Sequence, residues 1–327
     1  MKLEGARVVV TGGAGFIGSH VVEALVAHGA SVAVLDDLSV GSRANLEAVE
    51  REVEVVVGDV RDEDTVSRAV AGADAVVHMA CDNLRASLGR PLHTHAVNAT
   101  GSLVTALASA RAGVRRFAYV SSSEAYGSAL VTPMAEDHPL RPTTVYGASK
   151  AAGELYAQGV MRTYNLPVVI VRPFNSYGPR EHSTGTSAEV IPKFTFRMLA
   201  GERPIIFGDG GQTRDFTWVE ETAQGILAAT ACDELVGDAV NIAFGQGISI
   251  VDVCRSLAEI IGVEFNPDYQ DDRPGDVRHH FAAVDRARSL LGFEAKVDVR
   301  EGLGRYVAWV QATTPGGSPD LETVRNW

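Results

Sequence analysis

What is scarce in this chain narrows its function early. Only three cysteines, Cys81, Cys232 and Cys254, occur among 327 residues. They are scattered and odd in number, so no even disulfide framework is possible, and no pair has the spacing of metal ligands. The expectation is three reduced thiols in a cytoplasmic protein, with no metal. Basic residues are also short: 29 Lys and Arg against 41 Asp and Glu give a formal charge of −12. A general nucleic-acid or anionic-membrane binder needs a basic surface, so neither partner is expected. No uninterrupted apolar run approaches the roughly 18 residues of a membrane span. The start, MKLEGARVVV, runs straight into a strand-like segment. It lacks the longer apolar stretch and cleavage site of a signal peptide.

What is present is an ordinary globular composition, 46% hydrophobic and 21% charged, which argues against disorder over most of the length. The first two-thirds alternate short β-branched runs with helix-length segments. Strands are expected at Arg7–Thr11, Ser31–Leu35, Val53–Val57, Asp74–His78, Arg116–Ser121 and Pro167–Arg172. Helical spacing of apolar residues marks Phe16–His28, Asp62–Val70 and Pro91–Ala112. Near-continuous apolar strands suit a parallel sheet covered on both faces, joined by right-handed crossovers. After Pro173 the pattern loosens into a long loop, Pro173–Ser187. Helices then follow near Glu189–Leu199, Ile250–Ile261 and Val299–Val310, with a glycine-rich turn at Gly208–Gly211. The expected division is a sheet domain over residues 1–172, a smaller lobe over 173–312 with segments returning to the sheet, and a tail over 313–327.

The first strand ends in Thr11-Gly12-Gly13-Ala14-Gly15-Phe16-Ile17-Gly18. Gly12 permits a tight turn, Gly15 lets backbone approach a pyrophosphate, and Gly18 lets helix and strand pack closely. Helix N-terminal amides, those of Phe16 and Ile17 among them, then favour the phosphate charge. Strand two ends in Leu35-Asp36-Asp37. Asp36 lies 18 residues beyond Gly18, near the separation of about 20 expected for the acid that bonds an adenosine ribose. A carboxylate there repels a 2′-phosphate, so NAD is favoured over NADP. Asp59 and Val60, ending strand three, are placed at the adenine amine and its face. The fold expectation is therefore α/β: a Rossmann-type doubly wound parallel sheet with a smaller C-terminal α/β substrate lobe.

Tyr146 and Lys150 form Y-x-x-x-K at the start of a helix and share a face. A free phenol, with a pKa of about 10, is a poor base at neutral pH. A nearby ammonium and the positive charge of an oxidised nicotinamide favour phenolate. Lys150 is also placed to hold the nicotinamide ribose. Ser121-Ser122-Ser123-Glu124 lies at the carboxyl end of strand five, where ligands bind in such sheets.

These segments resemble an extended short-chain dehydrogenase/reductase of the nucleotide-sugar epimerase/dehydratase family. The likeness runs over roughly residues 6–310 and includes TGGAGFIGSH, LDDLSVG, GDVRD, HMAC, VNATG, SSSEAYG, YGASK, RPFNSYGP, GDGGQTRDFTWV and RPGDVRH. The resemblance implies that Tyr146 is the acid/base on the sugar 4-hydroxyl, Lys150 its electrostatic partner and Ser122 the hydroxyl sharing the proton. Met79, Ala80 and Cys81 would line the cofactor side of strand four, and Asn98 would brace the site through backbone. Asn175 would contact the sugar or its phosphates, Val190 would belong to the substrate site, Arg214 and Arg273 would grip the diphosphate, and Asp276 would hold the nucleotide ribose. The plain alternative for either arginine is a surface salt bridge with adjacent Asp215 or Asp272. The implied partners are NAD and a nucleotide-diphosphate sugar, in a homodimer built from the Pro91–Ala112 and Thr144–Asn165 helices.

The reaction is less legible. The first reading is a 4-epimerase acting through a transient 4-keto sugar. A 4,6-dehydratase is the alternative: Ser122-Ser123-Glu124 resembles the Ser-Glu variant of those enzymes, with Glu124 as the base at C5. A non-catalytic NAD-binding regulator is a third, weakened by the presence of both Tyr146 and Lys150. Decarboxylases of the family carry Arg where this chain has His280. A bulky His280 lining the hexose pocket hints at an unacetylated sugar. Arg180 and His182, after YGP, are placed against a substrate carboxylate, so a uronate 4-epimerase stays open.

Overall fold

A computed structural model describes residues 1–183, 188–272 and 277–314. Seven strands form one parallel sheet: β1 (Arg7–Thr11), β2 (Ser31–Asp36), β3 (Val53–Val57), β4 (Ala75–His78), β5 (Arg116–Val120), β6 (Val168–Pro173) and β7 (Ala239–Ile242). Their spatial order is β7-β6-β5-β4-β1-β2-β3, with all pairings parallel. The order reverses between β1 and β4, which opens a crevice at their carboxyl ends.

Alternate residues of each strand feed two separate cores. Val8, Val10, Val32, Val34, Val77 and Val120 pack under one helical layer that includes the Phe16–Ala27 and Val219–Ala231 helices. Val9, Ala33, Leu35, Val76, Phe117 and Tyr119 pack under the other, with the Gly101–Arg111 and Val145–Tyr164 helices. Burial on both faces is why the strands read as continuous apolar runs.

The six expected strands form within a residue or two of their limits. β7 is an addition to that reading, as is the Val219–Ala231 helix. The expected helix over Pro91–Ala112 is divided: Pro91–His95, a π turn at Ala96–Thr100, then Gly101–Arg111. Beyond β6 a third core joins Tyr177, Ile191, Phe194, Trp218, Leu257 and Leu303. Short strand pairs frame it: Ile205–Phe207 with Asp268–Gln270, and Thr213–Arg214 between Ile248–Ser249 and His279–His280. The last helix runs from Val299 to Thr313, and the expected tail beyond Thr314 lies outside the described residues. Among the described residues no helix is long and apolar enough to cross a membrane.

Candidate active site

The crevice at the carboxyl ends of β1 and β4 widens into a cavity of about 530 Å³ that continues under the smaller lobe. At one end, the backbone between β1 and the Phe16–Ala27 helix turns at Gly12 with φ of +70°. A Cβ there would meet the Ala80 backbone at 2.7 Å, so only glycine lets the turn nest against the end of β4. Gly15, Phe16, Ile17 and Gly18 line the same wall. Asp36 is buried at the end of β2. One of its oxygens accepts the Ala14 N–H at 2.9 Å, and the other accepts that of Leu38 at 2.9 Å. Burial pushes this carboxyl up, against those two hydrogen bonds. Asp37, Asp59, Val60, Met79, Ala80 and Cys81 complete the wall. Asp59 is held by Arg61, whose Nε donates to both of its oxygens at 2.9 Å, and its carboxyl sits below the ordinary range.

The opposite wall begins where β5 ends. Ser122 caps a single turn, Ser123–Ala125, by accepting the Glu124 N–H at 3.2 Å. Its own proton remains for the Tyr146 phenol, which it faces. The Val145–Tyr164 helix starts beside this turn because Gly147 has no Cβ; one would collide with the Glu124 carbonyl. Lys150, one turn on, is buried; its Nζ donates to the Val120 carbonyl at 2.6 Å and lies 5.0 Å from the Tyr119 ring centroid. Ser122, Ser123, Glu124, Tyr146 and Lys150 all line the cavity.

The lowering expected of the Tyr146 phenol depends on the ammonium and an oxidised nicotinamide acting together. Burial raises the phenol well above its ordinary value, with the Ser122 hydroxyl as the opposing influence. Burial also draws the Lys150 ammonium down. A low-dielectric wall disfavours phenolate, so the ammonium needs the help of a cofactor's positive charge to reverse the balance.

Asn98 is not a wall residue. It sits in the buried π turn; its Oδ1 accepts the Asp82 N–H at 2.7 Å, and its Nδ2 donates to the Asp82 carbonyl and Ser149 Oγ, each at 3.0 Å. Ser149 Oγ donates onward to the Tyr146 carbonyl at 2.7 Å. Asn98 thus braces the helix that carries Tyr146, as expected of it, through the Asp82 backbone and Ser149; it is absent from the cavity wall, where a residue placed with the cofactor set would lie. A π turn inside a helix at a functional site is a recurrent device.

Among the expected substrate residues, Asn175, Val190 and Arg214 line the cavity. Asn175 Oδ1 is buried without a hydrogen-bond partner, as is Ser121 Oγ on the same cavity, and such orphaned atoms in a wall call for a ligand. Arg214 donates to the Thr213 and Val277 carbonyls, while Asp215 is occupied by the Phe244, Gly245 and Ala282 N–H groups. Arg273 and Asp276 lie outside the described residues. His280 does not line the cavity. It lies behind the wall, 1% exposed, edge-on to Phe174, with Nδ1 3.9 Å from Glu124 Oε1. Burial and Arg214 lower its pKa to about 4.

Arg180 likewise points away from the cavity, into a salt bridge with Glu23 of the Phe16–Ala27 helix, whereas His182 stays on the wall against Phe16. The cavity residues that sequence reasoning missed include Arg85, Glu181, Lys193 and Arg197. Lys193 and Arg197 are four apart on the expected helix, so a cationic face was there to be read.

Residues 8–243 match the model of the NAD dependent epimerase/dehydratase family. A UDP-glucose 4-epimerase from Mycolicibacterium smegmatis is 34% identical over 306 residues, covering 92% of this chain and 97% of its own. The crystal structure of a UDP-glucose 4-epimerase from Thermotoga maritima, with UDP-glucose, superposes with a TM-score of 0.89 at 35% identity over 94% of this chain and 99% of its own. A dTDP-glucose 4,6-dehydratase from Streptomyces venezuelae with NAD bound gives the same TM-score at 32% identity, over 94% and 97% of the two chains. With its glycine turn, buried Asp36 and Tyr146–Lys150 helix in place, the chain belongs to the NAD-dependent epimerase/dehydratase family and is an enzyme whose cofactor is NAD.

Proposed function

We propose that this enzyme is a nucleotide-sugar 4-epimerase of the UDP-hexose or UDP-hexuronate type, acting through a transient 4-keto sugar. One observation carries the reading: Tyr146, Ser122 and Lys150 meet on a single cavity wall opposite the carboxyl end of β4. Gly12, Gly15, Phe16, Asp36, Asp59 and Met79 would hold NAD, and Lys150 its nicotinamide ribose. NAD bound there supplies a reversible hydride acceptor for C4 of the sugar.

Tyr146 takes the proton from the sugar O4 and later returns it. Ser122 holds that proton in line, and Lys150, fixed on Val120, favours the phenolate. Arg214 and Lys193 offer charge to the diphosphate, and the orphaned Asn175 Oδ1 offers an acceptor to a sugar hydroxyl, so the sugar can turn while its nucleotide stays anchored. Residues 1–172 serve the dinucleotide, and 173–312 mainly the nucleotide sugar.

The presence of Glu124 on the wall favours a second reading, a 4,6-dehydratase with Glu124 as base at C5. Against it stands Ser123. Expelling the 6-hydroxyl calls for an acid to protonate it, and a serine hydroxyl is a far weaker acid than a carboxyl. Turnover in deuterated water separates the two: a dehydratase incorporates deuterium at C5, and an epimerase does not.

The enzyme is proposed to work in the cytoplasm as a homodimer. Leu92, Leu155 and Tyr156 are exposed on the Pro91–His95 and Val145–Tyr164 helices, 84%, 63% and 40% respectively. A symmetric partner laid on this face would cover them. Sedimentation of the wild type and of Leu155→Arg tests this; a wild type that sediments as a monomer contradicts it.

A further inference from the structure

We propose that Arg180 is the pin of a clasp that retains NAD, setting how fast the cofactor leaves its crevice. The inference rests on NAD binding alone and is independent of which sugar reaction the enzyme performs.

The Arg180 guanidinium joins three segments far apart in sequence. It donates to both carboxylate oxygens of Glu23 at 2.7 Å, to the Asn45 carbonyl at 2.6 Å and to His20 Nδ1 at 2.9 Å. Glu23 and His20 belong to the helix whose N-terminus closes the glycine turn. Asn45 follows β2, the strand that ends in Asp36. His20 Nε2 lies 3.0 Å from the Pro179 carbonyl. A carbonyl can only accept, so Nε2 carries the hydrogen and Nδ1 is the acceptor of the shorter Arg180 contact, while the 3.3 Å approach of Arg180 Nε to Nε2 is a contact between two donors. Burial, with Arg180 beside it, lowers the His20 pKa and keeps that neutral form.

The same network reaches the cofactor cradle. Asn45 Nδ2 and the Ser42 N–H both donate to the Ala14 carbonyl, at 2.9 and 3.0 Å, while the Ala14 N–H is held by Asp36. Arg180, Asn45, Ala14 and Asp36 therefore form one continuous chain of hydrogen bonds along the dinucleotide side of the cavity. Next in sequence, Glu181 and His182 form cavity wall, and the His182 ring lies 6.5 Å from that of Phe16. The segment after β6 is thus tied over the helix N-terminus, where a pyrophosphate belongs.

Arg180 also sits at φ of +69°, a left-handed conformation that non-glycine residues seldom adopt. Four anchors on its side chain hold it there. For the dinucleotide to leave past Phe16 and His182, this bidentate, charge-assisted contact must open. A simple scaffold role makes a different prediction, because it would change the stability of the cofactor-free protein and leave release unaffected.

The test is stopped-flow displacement of NADH, followed by its fluorescence, from the wild type, Arg180→Met and Glu23→Gln. Thermal midpoints of the cofactor-stripped proteins are measured in parallel. The clasp predicts release at least tenfold faster in Arg180→Met, a smaller acceleration in Glu23→Gln, and a reduced NADH-induced rise in midpoint for both. An unchanged release rate overturns the proposal, including where the stripped protein has become less stable. If Arg180→Met does not fold, Arg180→Lys decides. It keeps a charge near Glu23 but loses the forked geometry, so faster release supports the clasp and unchanged release overturns it.

Discussion

Lys150 Nζ donates to the Val120 carbonyl at 2.6 Å, which ties the ammonium to the end of β5 in the wall that also carries Tyr146. The charge is fixed in place before any substrate arrives, so it costs no reorganisation during proton transfer. Replacing Lys150 by Met removes a cation from the phenol's surroundings, and the phenol then ionises at higher pH. The basic-going limb of kcat/KM against pH is expected to shift upward in Lys150→Met. A profile left in place would deny Lys150 its electrostatic role.

Tyr146→Phe removes the proton carrier while leaving the glycine turn, Asp36 and Lys150 intact. Turnover is expected to fall by about 10³-fold, within the range for loss of a positioned acid/base. NAD bound per subunit, measured after denaturing release, is expected to equal that of the wild type. Substantial remaining turnover would move the acid/base role elsewhere.

Asn98→Ala tests the brace. The change strands the Asp82 N–H and carbonyl in a buried site, and each lost partner costs about 1–3 kcal/mol. Ser149, and through it the Tyr146 carbonyl, loses its support. Chemical denaturation is expected to show lower stability, and kcat to fall without a matching loss of NAD affinity. Reduced NAD affinity with unchanged kcat would instead return Asn98 to the cofactor site.

His78 gives the fold an acid limit. The Thr11 hydroxyl is 2.7 Å from its Nδ1, and its Nε2 is 2.9 Å from Ser102 Oγ, which donates to the Asn98 carbonyl. Thr11 Oγ1 also accepts the Met79 and Ala80 N–H groups, which leaves its proton for Nδ1 and fixes a neutral ring. Burial, then Lys150, lowers the His78 pKa to about 3. The unfolded chain binds the proton first as pH drops below the ordinary imidazole value, so stability is present above that value and lost on acidification. The loss attributable to His78 is roughly 2 kcal/mol between pH 7 and pH 5. Urea melts at both pH values, for the wild type and His78→Gln, measure it; an equal pH dependence in the two proteins would rule His78 out as the source.

Elements governed by local pattern were legible in the sequence. Five of the six strands read correctly because they are buried on two faces, the edge strand β3 because of its β-branched run, and the glycine turn because its geometry admits few residues. β7 was hidden by Asn241 in its middle. That side chain is buried, and its partners are Tyr126 Oη and the Met134 and Ala283 carbonyls, none of them close in sequence. The Pro91–Ala112 helix was read as continuous because its apolar spacing carries through the π turn; the reason for the break, the Asn98 contacts to Asp82 and Ser149, is tertiary. Arg180 was expected to face substrate because its loop follows YGP, but Glu23 lies 157 positions away and leaves no mark on the local pattern. His280 was placed on the wall by resemblance, whereas packing against Phe174 turns its ring behind it.

The central claim is that Tyr146 works on O4 while hydride leaves and returns to C4 of the same sugar. The most direct measurement follows deuterium placed at C4 of a UDP-hexose through turnover in ordinary water, with product read by NMR. The account predicts that the label remains at C4 in the inverted product. Label found at C6, with a solvent proton at C5, would contradict it and identify the dehydratase reaction instead.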